Sequence, residues 1–197
     1  IELEEIQSSV QTATIGANAL DKSIVAGGIG LIIVFILMII MYGLLGVIAD
    51  IALMLYVVMF VWAMVGFNVV LTLPGIAALI LSIGMAVDAN VIIFSRIKEE
   101  IAQGKSIRVA VDSGFKSALV TVLDAQVTTL IAAIVLYEVG TTVVKGFALT
   151  LMIGIIFSIF TAVIISQLFL SLIAGTKKFS HNKYFGVNED GTPRQFL

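Results

Sequence analysis

Between Ser23 and Ser95 the chain reads SIVAGGIGLIIVFILMIIMYGLLGVIADIALMLYVVMFVWAMVGFNVVLTLPGIAALILSIGMAVDANVIIFS. These 73 residues carry only two charges, Asp50 and Asp88. A helix needs about 20 apolar residues to cross the hydrocarbon of a bilayer, so the stretch holds three crossings. The first covers roughly residues 23–42 and breaks near Gly43 and Gly46; the second covers roughly 47–65. Residues 66–73 form the next turn. Pro74 suits the first turn of a helix, where its missing N–H is not needed, and the third crossing runs from there to about Phe94.

The rest of the chain agrees. Its 197 residues are 60% hydrophobic and 12% charged, with a mean hydropathy of +1.16 and a net charge of −2. Globular domains carry about 25% charged residues, and a soluble domain of this size has no room to hide so much apolar surface. This excludes a soluble enzyme, a nucleic-acid binder and a disordered chain. There is no cysteine, hence no disulfide framework and no thiolate metal site. The chain opens on Ile1 with no basic n-region or cleavage pattern before the first apolar run. That reads as the interior of a longer protein, not as a signal peptide.

A polar stretch, residues 95–116, carries Arg96, Lys98, Glu99, Glu100, Lys105, Arg108, Asp112 and Lys116. It reads as a short amphipathic helix on the membrane face, with Arg96 and Glu100 paired at i,i+4. Further crossings follow at roughly 117–137 and 146–173, joined by a short loop. The expected fold is therefore an all-α integral membrane bundle of five transmembrane helices. An outer stub (1–22) would precede the membrane domain (23–173) and a polar tail (174–197) would follow it. The stub opens with strand-like alternation at residues 1–6. Five bases in 95–116 and four in the tail, against Lys22 and Lys145 at the opposite ends of the spans, put loop and tail in the cytoplasm and the stub outside.

Ionisable groups within spans are rare and mark function. Asp88 lies well inside the third span. At 100° per residue it shares a stripe with Ala77, Leu81, Gly84 and Ser95, while Asn90 points the other way with Ser82 and Ala86. Two small or polar faces predict a helix buried on both sides. An unpaired carboxyl in hydrocarbon is costly to ionise, so Asp88 suits a group that binds and releases protons; a permanently neutral helix lock is the alternative. Asp124 shares a stripe with Ser117, Thr121 and Thr128, and Gln126 shares another with Thr129 and Ala133. Near a helix N-terminus, Asp124 could equally complement the dipole. Asp50, at the inner end of the second span, reads as an interfacial cap. Gly154, Ser158, Ala162 and Ser166 at i+4 spacing form a close-packing seam, and Trp62 and Tyr137 read as interfacial aromatics. His181 has no companion ligands, and no nucleophile–base constellation appears, so neither a metal, a cofactor nor bond-cleaving catalysis is expected.

Several ordered motifs carry a resemblance. Leu71-Thr-Leu-Pro-Gly-Ile-Ala precedes Gly84-Met-Ala-Val-Asp-Ala-Asn-Val-Ile-Ile-Phe-Ser-Arg96. Gly114-Phe-Lys-Ser-Ala leads to Asp124-Ala-Gln-Val-Thr-Thr, and Val144-Lys-Gly-Phe-Ala-Leu-Thr-Leu is followed by Ser158-Ile-Phe-Thr-Ala. From about Gly16 to Ile173 the chain resembles the SecD translocase-subunit family. The resemblance implies half of a pseudo-symmetric membrane domain like that of resistance-nodulation-division transporters, in a bacterial cytoplasmic membrane. It implies SecF, the SecY channel complex and a translocating preprotein as partners, and export assisted by the proton motive force. It also implies a first helix and a large outer domain ahead of the region seen here. Asp88 falls on the family's membrane aspartate, implicated in proton transfer, with its charge partners expected on SecF. Asp124, Gln126, Thr128 and Thr129 fall on the Asp-Ala-Asn-x-Thr-Thr motif, with Gln126 in place of the usual Asn; Ser95 stands where Glu is usual. A proton-coupled exporter of small molecules or lipids and a purely structural scaffold are the competing readings.

Overall fold

Helix follows helix with almost no loop between. The computed structural model describes residues 13–70 and 72–175, with side chains for 20–70 and 72–172. It contains α1 (Ala13–Tyr42), α2 (Leu44–Gly66), α3 (Leu73–Ala102), α4 (Ile107–Val139), α5 (Thr142–Phe160) and α6 (Ser166–Gly175). A π-helical turn, Thr161–Ile165, fuses α5 to α6. Counting α5, the π turn and α6 as one crossing, five helices are long and apolar enough to span a membrane. The fold is the expected all-α membrane bundle. Residues 1–6, the polar tail beyond residue 175 and His181 lie outside the described residues.

Local chemistry explains the helix ends. Gly43 takes φ 58° between α1 and α2, a conformation that costs glycine nothing. Thr72 caps α3, its Oγ1 accepting from the Gly75 N–H at 3.2 Å, with Pro74 in the first turn as anticipated. Gly104, at φ 86°, ends α3, and the N–H groups of Gly104 and Lys105 return to the carbonyls of Ile101 and Glu100. Left-handed glycine with backward bonds of this kind satisfies the orphan carbonyls of a helix terminus.

One expectation fails at this end. Residues 95–116 do not form a separate surface helix. α3 runs through Arg96 to Ala102, the turn takes residues 103–106, and α4 starts at Ile107. The polar residues are the water-side extensions of two spanning helices, because charge on an exposed face does not stop a helix whereas Gly104 does. Arg96 pairs with Glu99, at 2.7 Å, not with Glu100. Glu100 instead binds Lys105 and, at 2.9 Å, the Ser113 hydroxyl, tying α3 to α4 across the turn. Lys98 donates to the Met41 carbonyl at 3.3 Å and sits 4.3 Å from the centre of the Tyr42 ring. A cation there satisfies one of α1's last carbonyls and complements its dipole.

α3 is the hub: it touches α1, α2, α4, α5 and the π turn. At the basic end its Phe94 and Ile97 pack with Met38, Leu45, Phe115 and Leu170; in the middle its Ala86 packs with Tyr56 and Phe60. Ala78, Ala133, Leu151 and Ile155 form a third cluster between α3, α4 and α5. Isoleucines and valines on the outer faces, such as Ile24, Ile32 and Val58, stay exposed, as lipid contact requires. Small residues set the crossings. A Cβ on Gly114 would lie 2.8 Å from the Ile97 Cα, and one on Gly46 would strike the Met38 carbonyl. Gly154, in the predicted seam, packs against Ser82 in the same way, and Ser158, Ala162 and Ser166 of that seam are all buried.

Gly114→Val should therefore destabilise the bundle by about 1–3 kcal/mol, as overpacking against fixed backbone does. Gly28→Ala, where nothing lies within 4 Å of the added Cβ, should leave the melting midpoint in detergent at or slightly above that of the parent. Equal midpoints for the two variants would contradict the packing.

Candidate functional site

The two faces of α3 have different fates. Ser82, Ala86 and Asn90 are buried. Asp88, Gly84, Leu81 and Ala77 are exposed, and nothing lies within 4 Å of a Cβ built on Gly84. The sequence led us to expect both faces buried; within this chain only the Asn90 face is. α4 shows the same division. Gln126 and Ala133 face inward, while Ser117, Thr121, Asp124 and Thr128 are exposed.

The Gly114–Ile97 contact fixes the register of the antiparallel α3–α4 pair. Asp88 lies nine residues from Ile97 and Asp124 ten residues from Gly114, both away from the basic end. At 1.5 Å per residue both carboxylates stand about 14 Å along from that contact. The structure thus brings Asp88 and Asp124 to one depth on uncovered faces. It does not bring Asn90 or Gln126 to join them. Among the described residues, neither aspartate has a cation beside it within its span. The Thr128 and Thr129 hydroxyls donate to the backbone carbonyls of Asp124 and Ala125, at 2.8 and 2.9 Å. They serve their own helix first, a common use of threonine within a span.

Behind these faces runs a buried polar spine that the sequence reading did not assemble. The Tyr56 hydroxyl donates to Ser82 Oγ at 2.7 Å, and Ser82 donates to the Leu79 carbonyl at 2.8 Å. Ser166 donates to Asn90 Oδ1 at 2.7 Å, and Asn90 Nδ2 reaches the Ala86 carbonyl at 3.3 Å. The Thr161 hydroxyl is shared between the carbonyls of Phe157 and Ser158, at 3.0 and 3.1 Å, where the π turn begins. Asn90 therefore joins α3 to α6, and its pairing was hidden because Ser166 lies 76 residues away. The signal was the Gly154–Ser166 seam, read for its size and not for its hydroxyls. Gln126 Oε1 and Ser158 Oγ are buried without a hydrogen-bond partner.

Asp50 departs most from expectation. Both its carboxylate oxygens are buried, and among the described residues no hydrogen-bond donor reaches them. It is not an interfacial cap. Among the described residues no cluster of three or more potential metal ligands exists.

Comparison with known proteins agrees with the fold and the motifs. Residues 2–175 match the family described as protein export membrane protein SecD/SecF, C-terminal. The chain belongs to the SecD/SecF family. It is 48% identical over 187 residues to the protein translocase subunit SecD of Acidaminococcus fermentans, covering 95% of this chain and 45% of that protein. It is 45% identical over 190 residues to the protein translocase subunit SecDF of Bacillus subtilis, covering 96% of this chain and 26% of that one. The crystal structure of SecDF from Thermus thermophilus, a translocon-associated membrane protein, superimposes with a TM-score of 0.80 at 38% identity. That match takes in 82% of this chain and 22% of the other. The chain thus spans less than half the length of these SecD/SecF relatives.

Removing either partner of the Asn90–Ser166 pair should destabilise the bundle by about 1 kcal/mol, the scale of interhelical hydrogen bonds in membranes. The double variant Asn90→Ala/Ser166→Ala should cost less than the sum of the two singles. A thermodynamic cycle measured by unfolding in bicelles checks this; strict additivity would mean that the pair does not couple.

Proposed function

We propose that this chain is the membrane region of a SecD-type subunit that uses the proton motive force to assist polypeptide export. The observation that carries the reading is the uncovered α3–α4 face, with Asp88 and Asp124 level on it and no cation among the described residues to pair with either. A carboxylate exposed to hydrocarbon would be costly; one facing a partner half would not. SecF is the partner this face suits, supplying the charge partners for Asp88 and completing a pseudo-symmetric bundle similar to that of resistance-nodulation-division transporters. The SecY channel complex and the translocating preprotein are the further partners. The basic end lies in the cytoplasm of a bacterial cell, by the excess of lysine and arginine there.

Asp88 is the proton carrier in this scheme. Exposed glycine at Gly84, one turn away, lets a partner helix approach it closely. A proton taken up from outside neutralises Asp88 and lets the two halves repack; release to the cytoplasm resets them. Asp124, on the adjacent helix, with Thr128 beside it, continues the polar path; Asn90 ties α3 to α6 behind the carboxylates, with Gln126 buried on the inner face of α4 and Thr129 bonded within it. One charge moved through 100 mV yields roughly 2.3 kcal/mol, more than the roughly 1.4 kcal/mol that shifts an equilibrium tenfold. The work is conformational and no bond is made or broken, in keeping with relatives named as translocase subunits. Those names do not favour an exporter of small molecules or lipids.

Asp88→Asn in the full-length protein should preserve assembly with its membrane partners and lose proton-gradient-dependent stimulation of preprotein export in reconstituted vesicles. Stimulation equal to that of the unaltered protein would overturn the role, and would leave the scaffold reading in its place.

A further inference from the structure

Asp50 poses a different problem from Asp88 and Asp124. Those two are exposed in this chain, so a second protein can supply what they need. The residue Asp50 is only partly buried, but both its carboxylate oxygens are already covered by this chain. Whatever balances the carboxylate has to be sought first among the groups packed around it.

The elements packed against α2 are α1, α3, α5, the π turn and α6. On α1 the titratable groups are Asp21 and Lys22, at the far end of the helix, and Tyr42 at the basic end. On α3 they are Asp88, on the uncovered face, and Arg96, Lys98, Glu99 and Glu100 beyond the apolar segment. Arg96 is paired with Glu99, and Lys98 is held by the Met41 carbonyl and the Tyr42 ring. α5 carries only Lys145, at the opposite end over Tyr137. The described side chains of the π turn and α6 include no titratable group, and on α2 itself Tyr56 is bonded to Ser82. No base among the described residues answers Asp50.

Its depth excludes another escape. Asp50 lies six residues toward the basic end from Tyr56, and Asp88 six residues toward the same end from Ser82, the residue that Tyr56 bonds. Both therefore sit about 9 Å along from that contact, and Asp50 is level with Asp88, away from headgroup water. A bare ionised carboxylate so placed costs several kcal/mol. A metal ion would need further ligands, and no cluster of them is present among the described residues. The proton is the one cation small enough to satisfy a lone buried carboxyl.

We propose that Asp50 is a second proton-binding site, occupied in this conformation, its carboxyl oxygens covered by this chain. Ionising it requires α2 to part from the helices around it, so its proton is exchanged only when the bundle moves. The assignment stands apart from the export role: it concerns where a proton resides, and its test is spectroscopic.

The test is infrared spectroscopy of the full-length protein in lipid vesicles at neutral pH, reading the carbonyl stretch of protonated carboxylic acids. Asp50→Asn, a neutral near-isostere, should fold with a melting midpoint close to the parent's and lose an acid carbonyl component that Asp88→Asn retains. An Asp50→Asn spectrum identical to the parent's in that region would overturn the proposal. Should Asp50→Asn fail to fold, the Asp88→Asn/Asp124→Asn variant labelled with carbon-13 aspartate decides: a shifted acid carbonyl band supports the site, and its absence refutes it. Loss of export stimulation in Asp88→Asn together with an unchanged Asp50 band would leave both assignments standing separately.

Discussion

Everything in this bundle depends on how closely helices approach α3. Lipid offers helices no hydrophobic reason to associate, so contact area and backbone proximity decide. The chain meets that demand with glycine at the crossings: Gly114 against the Ile97 backbone and Gly154 against Ser82, with Gly46 playing the same part between α1 and α2. These contacts fix the register of neighbouring helices. Register in turn puts Tyr56 on Ser82, Ser166 on Asn90, and the two exposed aspartates at a common level. A shift of one turn at Gly114 would move Asp124 by about 5 Å relative to Asp88.

Charge is distributed by the same logic. Ion pairs such as Arg96–Glu99 and Lys116–Asp112 are exposed beyond the apolar segments, where each contributes little to stability. The Lys98 contact with the end of α1 differs, because it joins two helices. Within the spans most polar groups are either satisfied by the chain itself or left facing outward; Asp50, Gln126 and Ser158 are the buried exceptions among the described residues. A membrane protein cannot leave polar surface against lipid at no cost, and the α3–α4 face is where this chain carries uncovered carboxylates.

Much of this was legible in the residues. The 100° arithmetic correctly put Asp88 and Asn90 on opposite faces, and Pro74 marked the start of α3. The i+4 seam through Gly154 foretold its close contact. The adjoining ends of α3 and α4 are not legible from charge density, because backbone geometry at Gly104, not charge, ends α3. The exposure of Asp88 could not be read from one chain, since periodicity tells which side a residue faces and not what stands opposite. Asp50 differs from its reading as an interfacial cap for a related reason. Its position near the end of an apolar run suggests water nearby, and only the packing of other elements against α2 covers its oxygens.

The π turn sets the phase of the helix that contains it. In an α-helix a four-residue step overshoots a full turn by about 40°, so a strict i+4 row winds off its face within a few steps. Gly154, Ser158, Ala162 and Ser166 nonetheless all remain buried, across a segment that includes Thr161–Ile165. The wider turn, with its i to i+5 bonding, needs more residues per revolution and makes the same step fall short. Overshoot before the turn is offset by lag within it. The π turn works as a phase correction, keeping a four-residue rhythm in the sequence aligned along one straight edge of the protein.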